Sequence, residues 1–77
     1  MEINIRLHGL LRRYAKEDGK VTLKMPKGIT IQDVVDELKI PRGLCAVITA
    51  NGKAVTPNVK LEGEKVELVI YPFVSGG

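Results

Sequence analysis

Lys65-Val66-Glu67-Leu68-Val69-Ile70-Tyr71-Pro72-Phe73 is the stretch on which the fold turns. Its alternation places Val66, Leu68 and Ile70 on one face of a strand and Val69, Tyr71 and Phe73 on the other. A strand with one wet face carries apolar residues at every second position. A strand apolar on both faces belongs near the centre of its sheet. Leu61-Glu62-Gly63-Glu64 reads as the turn that feeds this strand.

Towards the other end of the chain, residues 2–8 alternate with the same period: Ile3, Ile5 and Leu7 against Asn4, Arg6 and His8. They predict a half-buried strand. In residues 9–19, Leu10, Leu11, Tyr14 and Ala15 recur at helical spacing over too short a run, which predicts a turn or two of helix or a structured loop ending at Asp18-Gly19. Val21, Leu23 and Met25 give a second strand, closed by Pro26-Lys27-Gly28. Residues 30–39 predict the main helix: Thr30 suits the N-cap, Asp33 stands at N3, and Ile29 and Val34 occupy the staple positions. Its apolar stripe is Ile31, Val34, Val35 and Leu38, and Ile40-Pro41 is expected to stop it. Cys45–Ala50 reads as a third strand, and Asn51-Gly52 as a tight hairpin into a short fourth strand at Lys53–Val55.

The predicted order is β-β-α-β-β-β in the α+β class, a mixed sheet of four to five strands packed on one main helix. A ferredoxin-like split would need a second helix after the third strand, and none is written there. A two-faced last strand at the sheet centre, beside the first, is the arrangement of a β-grasp fold.

Size and composition narrow the function. Seventy-seven residues make a single domain, here 1–77, with one modest core. No apolar run approaches the ~20 residues of a membrane span, and Met1-Glu2 leads straight into a strand pattern rather than a signal peptide. The expected compartment is the cytoplasm, with no membrane partner. Twelve basic against nine acidic residues give +3, but the bases are scattered and there is no Trp, so nucleic acid is not an expected partner. One Cys and one His cannot supply a metal site alone. Cys45, within LCAVI, is expected to be a buried inert thiol, and His8 a surface or strand-end residue. No phosphate-cradling glycine loop is present.

The remaining puzzle is the segment after the last strand, Val74-Ser75-Gly76-Gly77. A terminal glycine pair adds no packing and loses much entropy if ordered. A frayed end explains it blandly, although frayed ends are seldom preceded by Pro-Phe-Val. A site at the end explains it better. Glycines let backbone enter a narrow channel, and residues 74–77 reach at most ~13–14 Å when extended.

Element order, length and the ending Tyr71-Pro72-Phe73-Val74-Ser75-Gly76-Gly77 resemble the ubiquitin-like β-grasp sulfur carriers of the ThiS/MoaD family, whose members end Pro-x-Val-x-Gly-Gly. Leu61-x-Gly63-Glu64-x-Val66 is similar to that family's turn before the last strand. The long connection at residues 9–19 looks more like MoaD, as does the ending, although it departs from that group in having Phe73 where a second proline is common. The hairpin at residues 47–52 looks more like ThiS.

The resemblance implies a carrier rather than an enzyme, with Gly77 as the reactive residue and Gly76 beside it. A ThiF/MoeB-like activating enzyme would adenylate the Gly77 carboxylate with ATP. A sulfur donor such as a cysteine desulfurase or rhodanese would then displace AMP and leave a thiocarboxylate. AMP and sulfur would be carried transiently, with no permanently bound cofactor and no metal. The acceptor would be a molybdopterin synthase large subunit, or in the alternative a thiazole synthase of thiamine synthesis. A third reading is a protein modifier joined through Gly77 to lysines. The residues expected to bind the partner are Val69, Tyr71, Phe73, Val74 and Ser75, with Val47 or Ile48 beside them. Residues 74–77 are expected to form a flexible tail.

Overall fold

The period-2 stretches become the strands β1 (Glu2–Leu7), β2 (Lys20–Lys24), β3 (Cys45–Ala50), β4 (Lys53–Val55) and β5 (Lys65–Pro72). The structure is a computed structural model and describes residues 1–15 and 17–73, the side chain of Arg42 excepted. All five strands join one mixed sheet in the order β2-β1-β5-β3-β4. β5 therefore lies at the centre, parallel to β1 and antiparallel to β3. The apolar alternation of two strands distant in sequence puts their core faces in register: Ile3 pairs with Val66, Ile5 with Leu68 and Leu7 with Ile70.

Among the described residues a single α-helix, α1 (Ile31–Glu37), covers one face of the sheet. Its start follows the sequence. The Thr30 hydroxyl accepts from the Asp33 N–H at 3.2 Å, and the Thr30 N–H donates to the Asp33 carboxylate at 2.9 Å. This reciprocal box satisfies two donors that a helix start otherwise leaves orphaned.

Its end differs from the expected 30–39. Leu38 is the C-cap and Lys39 turns left-handed at φ +61°, with the Lys39 N–H donating to the Asp36 carbonyl at 3.0 Å and the Ile40 N–H to the Val35 carbonyl at 3.2 Å. That is a Schellman closure, with lysine in the place glycine commonly holds. Ile40 is buried together with Val35, so the closure also anchors an apolar contact. The stop comes before Pro41 has any role.

The inner face of the sheet and α1 enclose Ile3, Ile5, Leu7, Ile31, Val34, Val35, Val66, Leu68 and Ile70. Among the described residues no polar side chain is buried. The connection after β1 is a 3-10 helix, Gly9–Tyr14, which sends Leu11 wholly into this core while Leu10 stays exposed. The hairpin after β3 turns at Asn51 and Gly52, both at positive φ (51° and 86°), the conformation its sequence demands.

Candidate functional site

The outer face of the sheet has no described element over it, and the partner-binding residues expected from the sequence sit there or at its rim. Val69 occupies the centre, level with Arg6 of β1 and Thr49 of β3, and is half-buried by them. One row further along, Tyr71 stands opposite Val47, and both are exposed, at 41% and 48%. Ile48, the other residue expected beside them, points inward and is core, because the register sets Ile48 against Ile70.

His8 completes this row. Its ring stacks on Tyr71 with centroids 4.7 Å apart and planes 6° from parallel. The His8 backbone N–H donates to the Ile70 carbonyl at 3.2 Å, which extends the β1–β5 pairing past the end of β1 and holds the His8 backbone beside β5. By sequence His8 is only a surface or strand-end residue. Its alternation with Asn4 and Arg6 places it on the outer face, but it takes the parallel register to bring it beside Tyr71.

The strand expected to run through Phe73 ends at Pro72. Pro72 lacks an N–H and stands opposite Cys45, next to an irregularity in the ladder between Cys45 and Val47. A ladder that meets a proline and a bulge together has little reason to continue. Phe73 thus follows the strand instead of sharing its face, and is 58% exposed. Gly9 lies against the same proline: a Cβ built there would be 2.9 Å from the Pro72 Cγ, and its φ is +55°. Only glycine allows the 3-10 helix to start so close to the strand's end.

The sequence leaves open whether Leu10, Leu11 and Tyr14 fold over this face. They do not. Leu11 goes under the sheet into the core, Tyr14 is half-buried against that core, and Leu10 is exposed. Cys45, expected to be buried, is half-buried, and this burial pushes its thiol pKa up. Val74, Ser75, Gly76 and Gly77, together with the expected flexible tail, lie outside the described residues.

The described geometry is suited to binding. Tyr71, Val47 and His8 form an apolar and aromatic row, with Phe73 at the rim beyond Pro72. Among the described residues no three His, Cys, Asp or Glu side chains come together. No helix among them is long and apolar enough to cross a membrane.

No protein-family model matches the chain, and no curated protein matches it. Solved structures do match. SAMP1 from Haloferax volcanii superposes with a TM-score of 0.75 at 20% identity, over 100% of both chains. The HVO 2177 protein of the same organism gives 0.75 at 20% identity, over 100% of this chain and 87% of its own. A Pyrococcus furiosus protein assigned as molybdopterin converting factor subunit 1 gives 0.71 at 16% identity, over 94% of this chain and 97% of its own. The chain has the ubiquitin-like β-grasp fold. At these identities the likeness carries the fold and stops there.

Proposed function

We propose that this β-grasp domain is a sulfur carrier, not itself an enzyme, whose Gly77 carboxylate is activated for sulfur transfer in molybdopterin-type cofactor synthesis. The observation that carries the reading is a β-grasp domain whose central strand ends at Pro72, a few residues before Gly76-Gly77. The exposed row on the outer face begins at the same end of that strand. A partner that docks on Tyr71, Val47 and Phe73 would receive the following residues directly, with Val74 and Ser75 at its entrance.

The chemistry suits such a delivery. A carboxylate is a poor electrophile. Attack of its oxygen on the α-phosphorus of ATP expels pyrophosphate and makes AMP the leaving group. A persulfide sulfur of the donor then adds to the acyl carbon and AMP departs; a second thiol cleaves the resulting acyl disulfide, forms a disulfide with the donor's sulfur and leaves a thiocarboxylate on Gly77. Gly76 supports this by contributing no side chain to the channel. The activating enzyme, the sulfur donor and the molybdopterin synthase large subunit belong to this proposal as partners, and the cytoplasm as its compartment.

A second reading is favoured by one observation. SAMP1 matches over the full length of both chains, and the same organism's small archaeal modifier protein 1 matches at a TM-score of 0.72 and 16% identity, over 92% of this chain and 95% of its own. Modifier and carrier share activation at the terminal glycine and differ in what receives it. A thiazole-type carrier would differ only in its acceptor.

One experiment separates them. The protein recovered from its native cell is examined by intact mass and by digestion. A carrier ends at Gly77 with one oxygen exchanged for sulfur, and deleting Gly77 abolishes the exchange while the melting curve is unchanged. Abundant adducts through Gly77 to lysines would establish the modifier instead. Co-purification with thiazole synthase alone would move the carrier to the other pathway. A chain continuing past Gly77 in the mature protein would overturn the reading altogether.

A further inference from the structure

The far edge of the sheet is separate from the outer-face row and from residues 76–77. β2 is an edge strand paired only with β1 among the described residues. Its ladder to β1 is narrow at Val21 and Leu23: the neighbouring bonds from the Leu7 N–H to the Gly19 carbonyl (2.7 Å) and from the Met25 N–H to the Met1 carbonyl (3.0 Å) set this phase. In an antiparallel pair the alternate residues then direct their backbone groups outward. Lys20 is covered by a turn, its N–H donating to the Glu17 carbonyl at 2.7 Å. Thr22 and Lys24 are not covered by any described residue. Among the described residues their N–H and C=O groups form a free edge on which another strand can pair.

Below this edge, between β2 and α1, runs an open groove of about 610 Å³. Its apolar lining is Val21, Leu23, Tyr14 and Leu38, all half-buried, and its charged lining is Glu17, Glu37 and Lys20. The opposite side of the same edge presents Lys20 and Lys24, exposed on either side of Thr22.

We propose that the β2 edge binds an extended peptide segment of a partner protein, with acidic and apolar residues in alternation. The pleat dictates the pattern. A peptide residue opposite Thr22 points to the outer side, between Lys20 and Lys24, where a carboxylate is favoured. Its two neighbours point to the groove side, over Val21 and Leu23, where the apolar lining favours an apolar side chain and two carboxylates, Glu17 and Glu37, stand against the one lysine, Lys20. A second copy of this chain is the wrong occupant. Antiparallel self-pairing about Thr22 would set Lys20 against Lys24, and like charges directly opposite are destabilising. The same lysines that guard the edge against itself select an acidic partner.

The test uses the capped peptide Val-Glu-Val-Glu-Val, titrated into the isotope-labelled protein and read by amide chemical shifts and hydrogen exchange. Binding should shift the Thr22 and Lys24 amides and slow their exchange, and Val-Lys-Val-Lys-Val should not bind. Thr22→Pro should abolish binding, because it removes an N–H that no described residue pairs. Should that variant fail to fold, Lys20→Glu with Lys24→Glu should weaken binding by roughly tenfold or more. Equal binding of the lysine peptide would overturn the proposal. So would shifts confined to the His8, Val47 and Tyr71 row, or a dimer of the unliganded protein that protects Thr22.

Discussion

The two faces of β5 share one backbone and do opposite things. On the inner face Val66, Leu68 and Ile70 are at most 1% exposed, locked between the sheet and α1. On the outer face Glu67 and Tyr71 are open to solvent and Val69 is half-covered. Apolar residues occur on both faces, so hydrophobicity alone does not separate them. What separates them is whether another layer lies above. A small two-layer domain has one helix to place, and the face without it is free to receive a partner. The inner residues are buried in the core, and the outer ones stand in or near solvent.

Truncating a side chain on each face in turn tests this division. Ile70→Ala, at a site with no solvent exposure, should destabilise the domain by about 2–5 kcal/mol. Urea or thermal unfolding measures this directly, and a loss below about 1 kcal/mol would mean that the inner face is looser than its packing implies. Phe73→Ala, with its ring 58% exposed, should leave the melting temperature within the small scatter of surface substitutions. The same change should weaken binding to the proposed activating enzyme by ~2 kcal/mol or more, roughly thirtyfold or greater. Calorimetry with the purified partner decides this, and a variant that unfolds instead would make Phe73 part of the core.

The smallest effect concerns the margin between the faces. Cys45 stands opposite Pro72 and is half-buried, and that burial raises its thiol pKa. Raising a folded pKa above the unfolded one adds stability that is complete below the unfolded value. That contribution is lost as pH rises through the folded value. Alkylation of the native thiol near neutral pH should therefore be modestly slower than in urea, and the gap should narrow as pH climbs. Equal rates at all pH values would show that the strand end opens freely and that the two faces are not separated there.

Much of this architecture is legible in the chain because the signals are local. The capping box at Thr30 and Asp33 and the turn at Asn51-Gly52 each act within a few residues, and each is found where the sequence implies it. The central place of β5 follows from its double apolar pattern. The failures are where a local rule met a tertiary opportunity. The helix stops at a Schellman closure through Lys39 because Ile40 can then join the core beside Val35. Phe73 leaves the strand because Pro72 meets an irregular stretch of β3. Ile48 could not be told from Val47 until the register with β5 assigned one to each face.

Element order, the helix start, the tight hairpin and the alternation of β1, β2 and β5 are thus written in the amino acids themselves, since all of these depend on nearest neighbours and on period. So is the Gly76-Gly77 pair that motivates the proposed carrier. The assembled sheet settles which residues meet across it: His8 on Tyr71, Tyr71 opposite Val47, and an edge at Thr22 and Lys24 with a groove below it. A strand's pattern specifies two faces but not its neighbours. Those follow from register, and register is fixed only when the inner faces of all the strands close on the same core.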